Sequence, residues 1–142
     1  PVVLATNSSK PSPPIRTIDA VELARAIAEG RRVLVVDVRE RAEFLEERIP
    51  GAVHCPLREL DERGPALVRD AEFVVAYCLK DFRGFEGVRK LARFHPSVFL
   101  IDGFGINRWK TARLATAGTR VAASDEAALE KLRGELRAGG AR

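Results

Sequence analysis

At the centre of the chain stands the stretch Phe73-Val74-Val75-Ala76-Tyr77-Cys78-Leu79-Lys80-Asp81-Phe82-Arg83-Gly84. Its first five residues are apolar and predict a buried strand, and from Arg83 to Phe94 the apolar residues return at helical spacing. The four residues between Cys78 and Arg83 must therefore form a tight loop between a strand and a helix start. Such a loop can turn its backbone N–H groups inward, because the first amides of a helix have no partner within the helix.

A cysteine at the mouth of this loop should ionise more readily than an ordinary thiol, whose pKa is about 8.5. The loop amides, the positive end of the helix dipole and the side chains of Lys80 and Arg83 would all stabilise a thiolate. Cys78 is therefore predicted to be a reactive nucleophile. The alternative is a buried cysteine that only closes a core strand, which is the commoner role of a single cysteine.

Size and charge limit the class of protein. The chain has 142 residues, which suits one domain, and a net charge of +4. Its arginines alternate with acidic residues instead of clustering with aromatic residues, so nucleic-acid binding is not expected. No apolar run approaches the length of a membrane span. The first residues do not resemble a signal peptide, which favours a cytoplasmic protein, or a periplasmic one if a removed leader preceded Pro1.

The cysteine count excludes a disulfide framework, because Cys55 and Cys78 are the only cysteines in the sequence. Together with His54 and His95 they lack the close cysteine pairs of structural zinc sites, so no metal and no other cofactor is expected. Cys55 could resolve a product on Cys78 as a disulfide, but a small apolar packing role is the simpler interpretation.

Strands and helices alternate along the chain. Strands are predicted at Ile15–Ile18, Val33–Val38, Val53–Cys55, Phe73–Tyr77 and Val98–Ile101. Helices are predicted from Asp19 to Gly30, over Arg39–Glu47, Arg83–Phe94 and Ile106–Ala112, and after Ser124, with helical turns in Leu57–Arg69 that Gly64-Pro65 would break. The nearly all-apolar strands predict a parallel sheet covered by helices on both faces. In such sheets, sites form at the carboxyl ends of the strands, where Cys78 lies.

Four stretches occur in the order found in rhodanese-like proteins. They are Val35-Val36-Asp37-Val38-Arg39-Glu40 with Glu43-Phe44, then Arg48-Ile49-Pro50-Gly51-Ala52-Val53-His54-Cys55-Pro56-Leu57, then Val75-Ala76-Tyr77-Cys78 with Arg83, and Ile101-Asp102-Gly103-Phe104-Gly105-Ile106 with Trp109. On these residues the chain resembles a single-domain rhodanese-like sulfurtransferase over about residues 15–112. Residues 1–14 are then a Pro/Ser-rich arm, and residues 113–142 a linker and C-terminal helix.

The resemblance implies a five-stranded parallel sheet and an enzyme of sulfur metabolism with Cys78 as its nucleophile. Substrate would be bound by the loop residues that follow, namely Leu79, Lys80, Asp81, Phe82, Arg83 and Gly84. Arg83 would act either as a fixed cation or as the partner of an acid that positions the helix. Asp37 and Arg39 are expected to be structural and to bond the ends of neighbouring strands.

The loop departs from the family pattern at Asp81, where glycine is often found. A carboxylate there would repel doubly charged thiosulfate and favour a thiol persulfide or a protein-bound sulfur. Phosphatase and arsenate-reductase relatives of the same fold have five residues between cysteine and arginine, whereas this chain has four. A ring of amides this small suits one terminal sulfur better than a tetrahedral phosphoryl group, so sulfur transfer is favoured over phosphate or arsenate chemistry.

Two functions of different class therefore remain. In the first, Cys78 takes sulfur from a thiosulfate or persulfide donor and holds it as a persulfide. It then gives the sulfur to a thiol, which could belong to a sulfur-carrier protein, or to another nucleophile. In the second, the domain is a catalytically silent interaction module. The second would be favoured if the sulfur of Cys78 lay sealed beneath the surface, or if carbonyl groups instead of amides faced it.

Overall fold

The computed structural model of the chain describes residues 14–79 and 82–139, without the side chain of Phe82. Within these residues the strands are β1 (Arg16–Ile18), β2 (Val33–Asp37), β3 (Val53–His54), β4 (Phe73–Tyr77) and β5 (Val98–Ile101). The helices are α1 (Ala20–Ala28), α2 (Arg41–Glu46), α3 (Leu60–Leu67), α4 (Phe82–Leu91), α5 (Gly105–Thr111) and α6 (Asp125–Gly139), and a 3₁₀ turn at Leu57–Glu59 precedes α3. None of these helices is both long and apolar enough to cross a bilayer.

The five described strands form one sheet in the order β1-β5-β4-β2-β3, and every neighbouring pair is parallel. The α/β prediction with a five-stranded parallel sheet is therefore confirmed. Strand β4 lies at the centre, between β5 and β2, and its last residue, Tyr77, pairs in register with Asp37 at the end of β2. The carboxyl ends of the two strands consequently lie side by side, directly beneath Cys78.

Residues of β4 alternate between two hydrophobic cores, because successive side chains of a strand point to opposite faces. Val75 and Tyr77 lie in the core that contains Trp109 of α5 and Leu132 of α6. The other face carries Val74, Ala76 and Cys78, which share a core with Leu60 of α3 and with Val88 and Leu91 of α4. Helices cover both faces, so all five residues of β4 are buried. This double burial explains the uninterrupted apolar run in the sequence.

The predicted break at Gly64-Pro65 is wrong, because α3 continues through both residues. A Cβ atom on Gly64 would lie only 2.9 Å from Cδ2 of Phe94, so the glycine provides a close contact with the end of α4 instead of a helix stop. Pro65 removes only the helical hydrogen bond to the carbonyl of Asp61. A short helix packed on a core tolerates that loss.

Residues 113–123, predicted as a linker, lie against the sheet domain. Leu114, Ala115 and Ala117 are buried. Ala117 and Arg48 exchange two backbone hydrogen bonds of 2.9 and 3.0 Å in an isolated antiparallel bridge. Helix α6 then packs on α1 and buries Leu132 completely. The division of the chain at residue 112 stays a prediction, but the residues after it extend the core of the domain.

Candidate active site

Cys78 directly follows β4, and the start of α4 faces its sulfur. The N–H of Gly84 donates a hydrogen bond to Sγ of Cys78 across 3.3 Å. On the other side, the carbonyl of Cys78 accepts a hydrogen bond of 3.0 Å from the N–H of Ile106, at the start of α5. An amide of α4 therefore points at the sulfur, which is the orientation that stabilises a sulfur anion.

Gly84 allows this close approach because it has no side chain. A Cβ atom at this position would lie 2.7 Å from Cδ1 of Leu100 in the core and 3.7 Å from Sγ of Cys78. Any larger residue would have to displace Leu100 or lift the start of α4 away from the sheet. The backbone amide could then no longer reach the sulfur at the same distance.

Cys78 is also well buried, with an exposed fraction of 2%, whereas its neighbour Leu79 is 40% exposed. The surface reaches the loop at Leu79 but barely at the sulfur. Of the predicted loop residues, Lys80 and Asp81 lie outside the described residues, as does the side chain of Phe82. A donor must touch the sulfur to react, and little of Cys78 is open to solvent.

Arg83 forms a two-pronged ion pair with Glu43 of α2. Its Nη1 and Nη2 atoms lie 3.1 and 3.2 Å from the two carboxylate oxygens of Glu43. Hydrogen bonding to Glu43 is the main cause that raises the pKa of Arg83, and the negative charge of a Cys78 thiolate raises it further. Of the two roles predicted for Arg83, pairing with an acid that positions the helix matches this geometry.

Glu43 is held from a second side. Its Oε1 atom also accepts a hydrogen bond of 3.0 Å from the N–H of Glu40, as part of a capping box at the start of α2. Burial alone would raise the pKa of Glu43, but the hydrogen bonds from Arg83 and Glu40 lower it on balance. Glu43 is therefore an ionised group that ties α2 to the cysteine loop, a role that the sequence analysis did not assign to it.

Beneath the loop, a buried polar network joins the ends of β2 and β4. Nε and Nη2 of Arg39 lie 3.0 and 2.7 Å from the carboxylate of Asp37. The hydroxyl of Tyr77 donates to the same carboxylate across 2.8 Å and accepts from the N–H of Ile49 across 3.1 Å. Burial raises the pKa of Tyr77 well above its ordinary value, so the hydroxyl keeps its proton. Asp37 and Arg39 thus bond the strand ends, as the sequence predicts, while the part of Tyr77 was not foreseen.

A cleft of about 190 Å³ opens beside the loop. Leu79 and Ile106 line it, together with charged residues that include Glu46, Lys110 and Arg120. At its edge lies Glu47, which is only 9% exposed. The carboxylate of Glu47 accepts a hydrogen bond of 2.7 Å from Thr116 and pairs with Lys110 across 3.0 Å. These residues come from four separate segments, so no pattern in the sequence places them together.

Cys55 cannot serve as a resolving partner for Cys78. It follows β3, and β2 lies between β3 and β4 in the sheet. Two strand spacings place the Cα atoms roughly 10 Å apart, beyond the reach of a disulfide. Cys55 is fully buried, which raises the pKa of its thiol. Nor do the described residues hold a group of three histidine, cysteine or acidic side chains that could bind a metal ion.

Comparison with known proteins places this geometry in a family. The model of the rhodanese-like domain matches residues 19–112. A rhodanese-related protein of Thermoplasma volcanium, whose crystal structure is known, is 26% identical with a TM-score of 0.63, over 72% of this chain and 97% of that one.

Two curated relatives match shorter segments. A sulfurtransferase of Allochromatium vinosum is 31% identical over 72 residues, which is 51% of this chain and 66% of the relative. A helix-turn-helix-type transcriptional regulator of Mycobacterium tuberculosis is 40% identical over 65 residues, which is 46% of this chain and 28% of the regulator. The matches thus span less than two thirds of either relative.

Proposed function

The chain belongs to the family of rhodanese-like domains, and from that premise we propose that it is a sulfurtransferase that carries sulfane sulfur on Cys78. The observation that supports this most directly is the hydrogen bond from the N–H of Gly84 to Sγ of Cys78. Through this hydrogen bond the start of α4 points at the sulfur of Cys78, which lies at the carboxyl end of the central strand β4. The likeness to a curated sulfurtransferase supports the same activity.

The transfer proceeds in two balanced steps. The thiolate of Cys78 attacks the outer sulfur of a persulfide, R–S–SH, and a new bond forms between Sγ and that sulfur. The bond between the two donor sulfurs breaks, and its electron pair leaves with the inner sulfur as the thiolate R–S⁻. A second thiolate then attacks the outer sulfur on Cys78 and leaves with it, which restores the Cys78 thiolate. Once the proton of the outer sulfur has passed to the leaving thiolate, the persulfide on Cys78 carries its charge on that outer sulfur, where backbone amides can stabilise it.

The loop favours some substrates over others. Four residues between Cys78 and Arg83 leave room for a single terminal sulfur, which supports sulfur transfer over phosphatase or arsenate-reductase chemistry. A carboxylate at Asp81 favours persulfide donors over thiosulfate. The acceptor is a thiol, on a small molecule or on a sulfur-carrier protein. This chain can carry sulfur only if the thiol of Cys78 is reduced, which is consistent with a cytoplasmic setting.

A silent interaction module is the second candidate, and two observations favour it. Cys78 is only 2% exposed, so its sulfur offers little surface to a donor. In addition, a similar segment forms part of a helix-turn-helix-type transcriptional regulator. In this alternative the loop and its Arg83–Glu43 pair serve to shape a surface, and Cys78 contributes only to the core.

Intact mass spectrometry separates the two candidates. The protein is incubated with thiosulfate, and separately with cysteine persulfide, then desalted and weighed. A sulfurtransferase gains one sulfur atom, and the gain is absent from Cys78→Ser but retained by the matched variant Cys55→Ala. An unchanged mass with both donors would overturn the proposed activity and support the module.

A further inference from the structure

The charged cleft lies beside the loop that carries Cys78 and is joined to that loop at three places. Leu79, which lines the cleft, is the next residue in the chain. Ile106 also lines it, and its N–H holds the carbonyl of Cys78 at 3.0 Å. Glu43, at the same cleft, forms the ion pair with Arg83. A molecule in the cleft would therefore lie against the loop that carries the nucleophile.

One wall of the cleft comes from residues beyond the family match, which ends at residue 112. The backbone N–H groups of Thr119 and Arg120 donate to the carbonyls of Leu45 and Glu46 across 3.1 and 2.9 Å. These hydrogen bonds hold the segment that contains Thr119 and Arg120 along the end of α2. The guanidinium of Arg120 consequently stands at the cleft in a defined place, paired with Glu46.

The cleft presents both signs of charge to solvent. The side chains of Lys110 and Arg120 are 42% and 57% exposed, and that of Glu46 is 49% exposed. The carboxylate of Glu47, on a largely buried side chain, pairs with Lys110 at 3.0 Å and lies 3.8 Å from Nε of Arg120. Lys110 and Arg120 therefore both approach the carboxylate of Glu47, and the exposed carboxylate of Glu46 lies beside them.

The volume and the apolar surface of the cleft limit the class of ligand that it can bind. The volume of about 190 Å³ is small, since pockets for drug-sized ligands hold roughly 300–1,000 Å³. Leu79 and Ile106 add an apolar surface suited to a methylene group. A small molecule with a carboxylate, an ammonium group and a short apolar link to sulfur would match each of these features.

We propose that this cleft binds the amino-acid end of a small zwitterionic persulfide, with its carboxylate between Lys110 and Arg120 and its ammonium group toward Glu46. The proposal rests on the sulfurtransferase activity proposed above and names its donor class. The outer sulfur of the bound donor passes to Sγ of Cys78, the bond between the two donor sulfurs breaks, and the amino-acid thiolate leaves and takes up a proton. Arg120 thus becomes a specificity-determining residue.

The test compares four persulfide donors that differ only in charge. Persulfides of cysteine, 3-mercaptopropionate, cysteamine and 2-mercaptoethanol carry both charges, the carboxylate alone, the ammonium group alone, or neither. The rate at which Cys78 gains sulfur is followed by intact mass. In Arg120→Gln and in Lys110→Gln, the ratio of the cysteine rate to the 2-mercaptoethanol rate should fall about tenfold, as expected for loss of a charge-assisted hydrogen bond.

Control variants show whether a change in the donor-rate ratio comes from the cleft itself or from an unrelated loss of charge or of folding. Arg137→Gln removes the same charge beside the end of α1, away from the cleft, and should leave the ratio unchanged. Arg120→Lys keeps the charge and should keep most of the preference, and Glu46→Gln should slow the cysteamine donor more than the 3-mercaptopropionate donor. Thermal unfolding shows whether each variant is folded. Because each ratio uses the same two donors, their intrinsic reactivities cancel.

The possible outcomes distinguish a failure of the proposed cleft from a failure of the proposed sulfurtransferase activity. If all donors load Cys78 and Arg120→Gln leaves the ratio unchanged, the cleft is not a specificity site, although the transferase activity stands. If no donor loads Cys78, the activity is wrong. Binding of S-methylcysteine to Cys78→Ser, followed by NMR at the amides of Leu79 and Ile106, then decides the cleft. Shifts that Arg120→Gln removes would support the site, and an absence of shifts would overturn it.

Discussion

Cys78 shows how one residue can support opposite interpretations. An amide of α4 points at its sulfur, which stabilises the charge that a nucleophile needs. Its exposure of 2% withholds the sulfur from solvent. Both are consequences of the same position at the end of a fully buried strand. The proposed sulfur transfer therefore requires that the sulfur of Cys78 become accessible to the donor.

Glu43 gives a pH-dependent prediction at the same scale. Folding lowers the pKa of its carboxyl below the ordinary value of 4.5, so the ion pair contributes stability above about that pH, and the contribution is lost as the pH falls through the lowered pKa. Glu43→Gln should cost about 0.5–1 kcal/mol of unfolding free energy at pH 7, a small value because the pair is partly exposed.

Thermal or urea unfolding at pH 7 and pH 3 checks this expectation. The difference between Glu43→Gln and the wild type should be smaller at pH 3 than at pH 7, because the contribution of the ion pair is lost as the carboxyl of Glu43 takes up a proton. Glu62→Gln, on the exposed face of α3, is the matched control and should change stability little at either pH. A difference of equal size at both pH values would show that the charge of Glu43 is not what matters.

At the scale of elements, two glycines let α4 pack closely on the sheet. Gly84 faces Leu100 of β5, and Gly87 faces Ala76 of β4 and Val38, the residue after β2. A Cβ atom on Gly87 would lie 3.1 Å from Cγ1 of Val38 and 3.4 Å from the Cβ atom of Ala76. The two glycines remove the side chains that would hold the helix away, and this proximity carries the amide of Gly84 to Cys78.

Replacing Gly87 by leucine should therefore overpack this interface. We expect Gly87→Leu to lower the free energy of unfolding by about 1–3 kcal/mol. Glu86→Leu adds the same side chain on the exposed face of α4 and should change it by less than about 0.5 kcal/mol. Urea denaturation of both variants measures the difference. Equal effects would mean that α4 can move away from the sheet at little cost.

At the scale of the whole molecule, the segment after α5 is joined to the end of α2. Arg48 pairs with Asp125 across 3.1 Å, and Gly118 lies so close to α2 that a Cβ atom would be 2.4 Å from the carbonyl oxygen of Glu46. Gly118 also has a φ of +127°, which side chains rarely adopt. The wall of the cleft therefore depends on a backbone contact that only glycine permits.

Gly118→Ala should consequently be among the most damaging single-methyl changes in the chain. Strain and a clash with backbone together should cost about 2–4 kcal/mol of unfolding free energy. Gly30→Ala is a matched control, because Gly30 also has a positive φ, of +75°, but nothing lies within 4 Å of its Cβ position. It should cost about 1 kcal/mol, from strain alone. Similar melting temperatures for both variants would contradict the close contact.

Much of the fold follows from local patterns. The run Phe73–Tyr77 was predicted as a strand with the bounds that the structure shows, because a strand buried on both faces has no polar positions. Helix α3 was predicted less well, because the pair Gly64-Pro65 is typical of a helix break. In the structure Gly64 lies within the helix and gives Phe94 room to pack against it. The effect of glycine depends on what lies opposite it, and sequence spacing does not contain that information.

The same division holds for the site. By itself the sequence determined the parallel sheet, the position of Cys78 at a strand end and the four-residue interval to Arg83, because these depend on periodicity and on residues close together in the chain. Only the tertiary structure decided the pairing of Arg83 with Glu43, the burial of Cys78 and the cleft formed with Arg120. Arg83 and Glu43 are 40 residues apart in the chain and Glu46 and Arg120 are 74 apart, and side chains so distant meet only after the sheet has brought their elements to one edge.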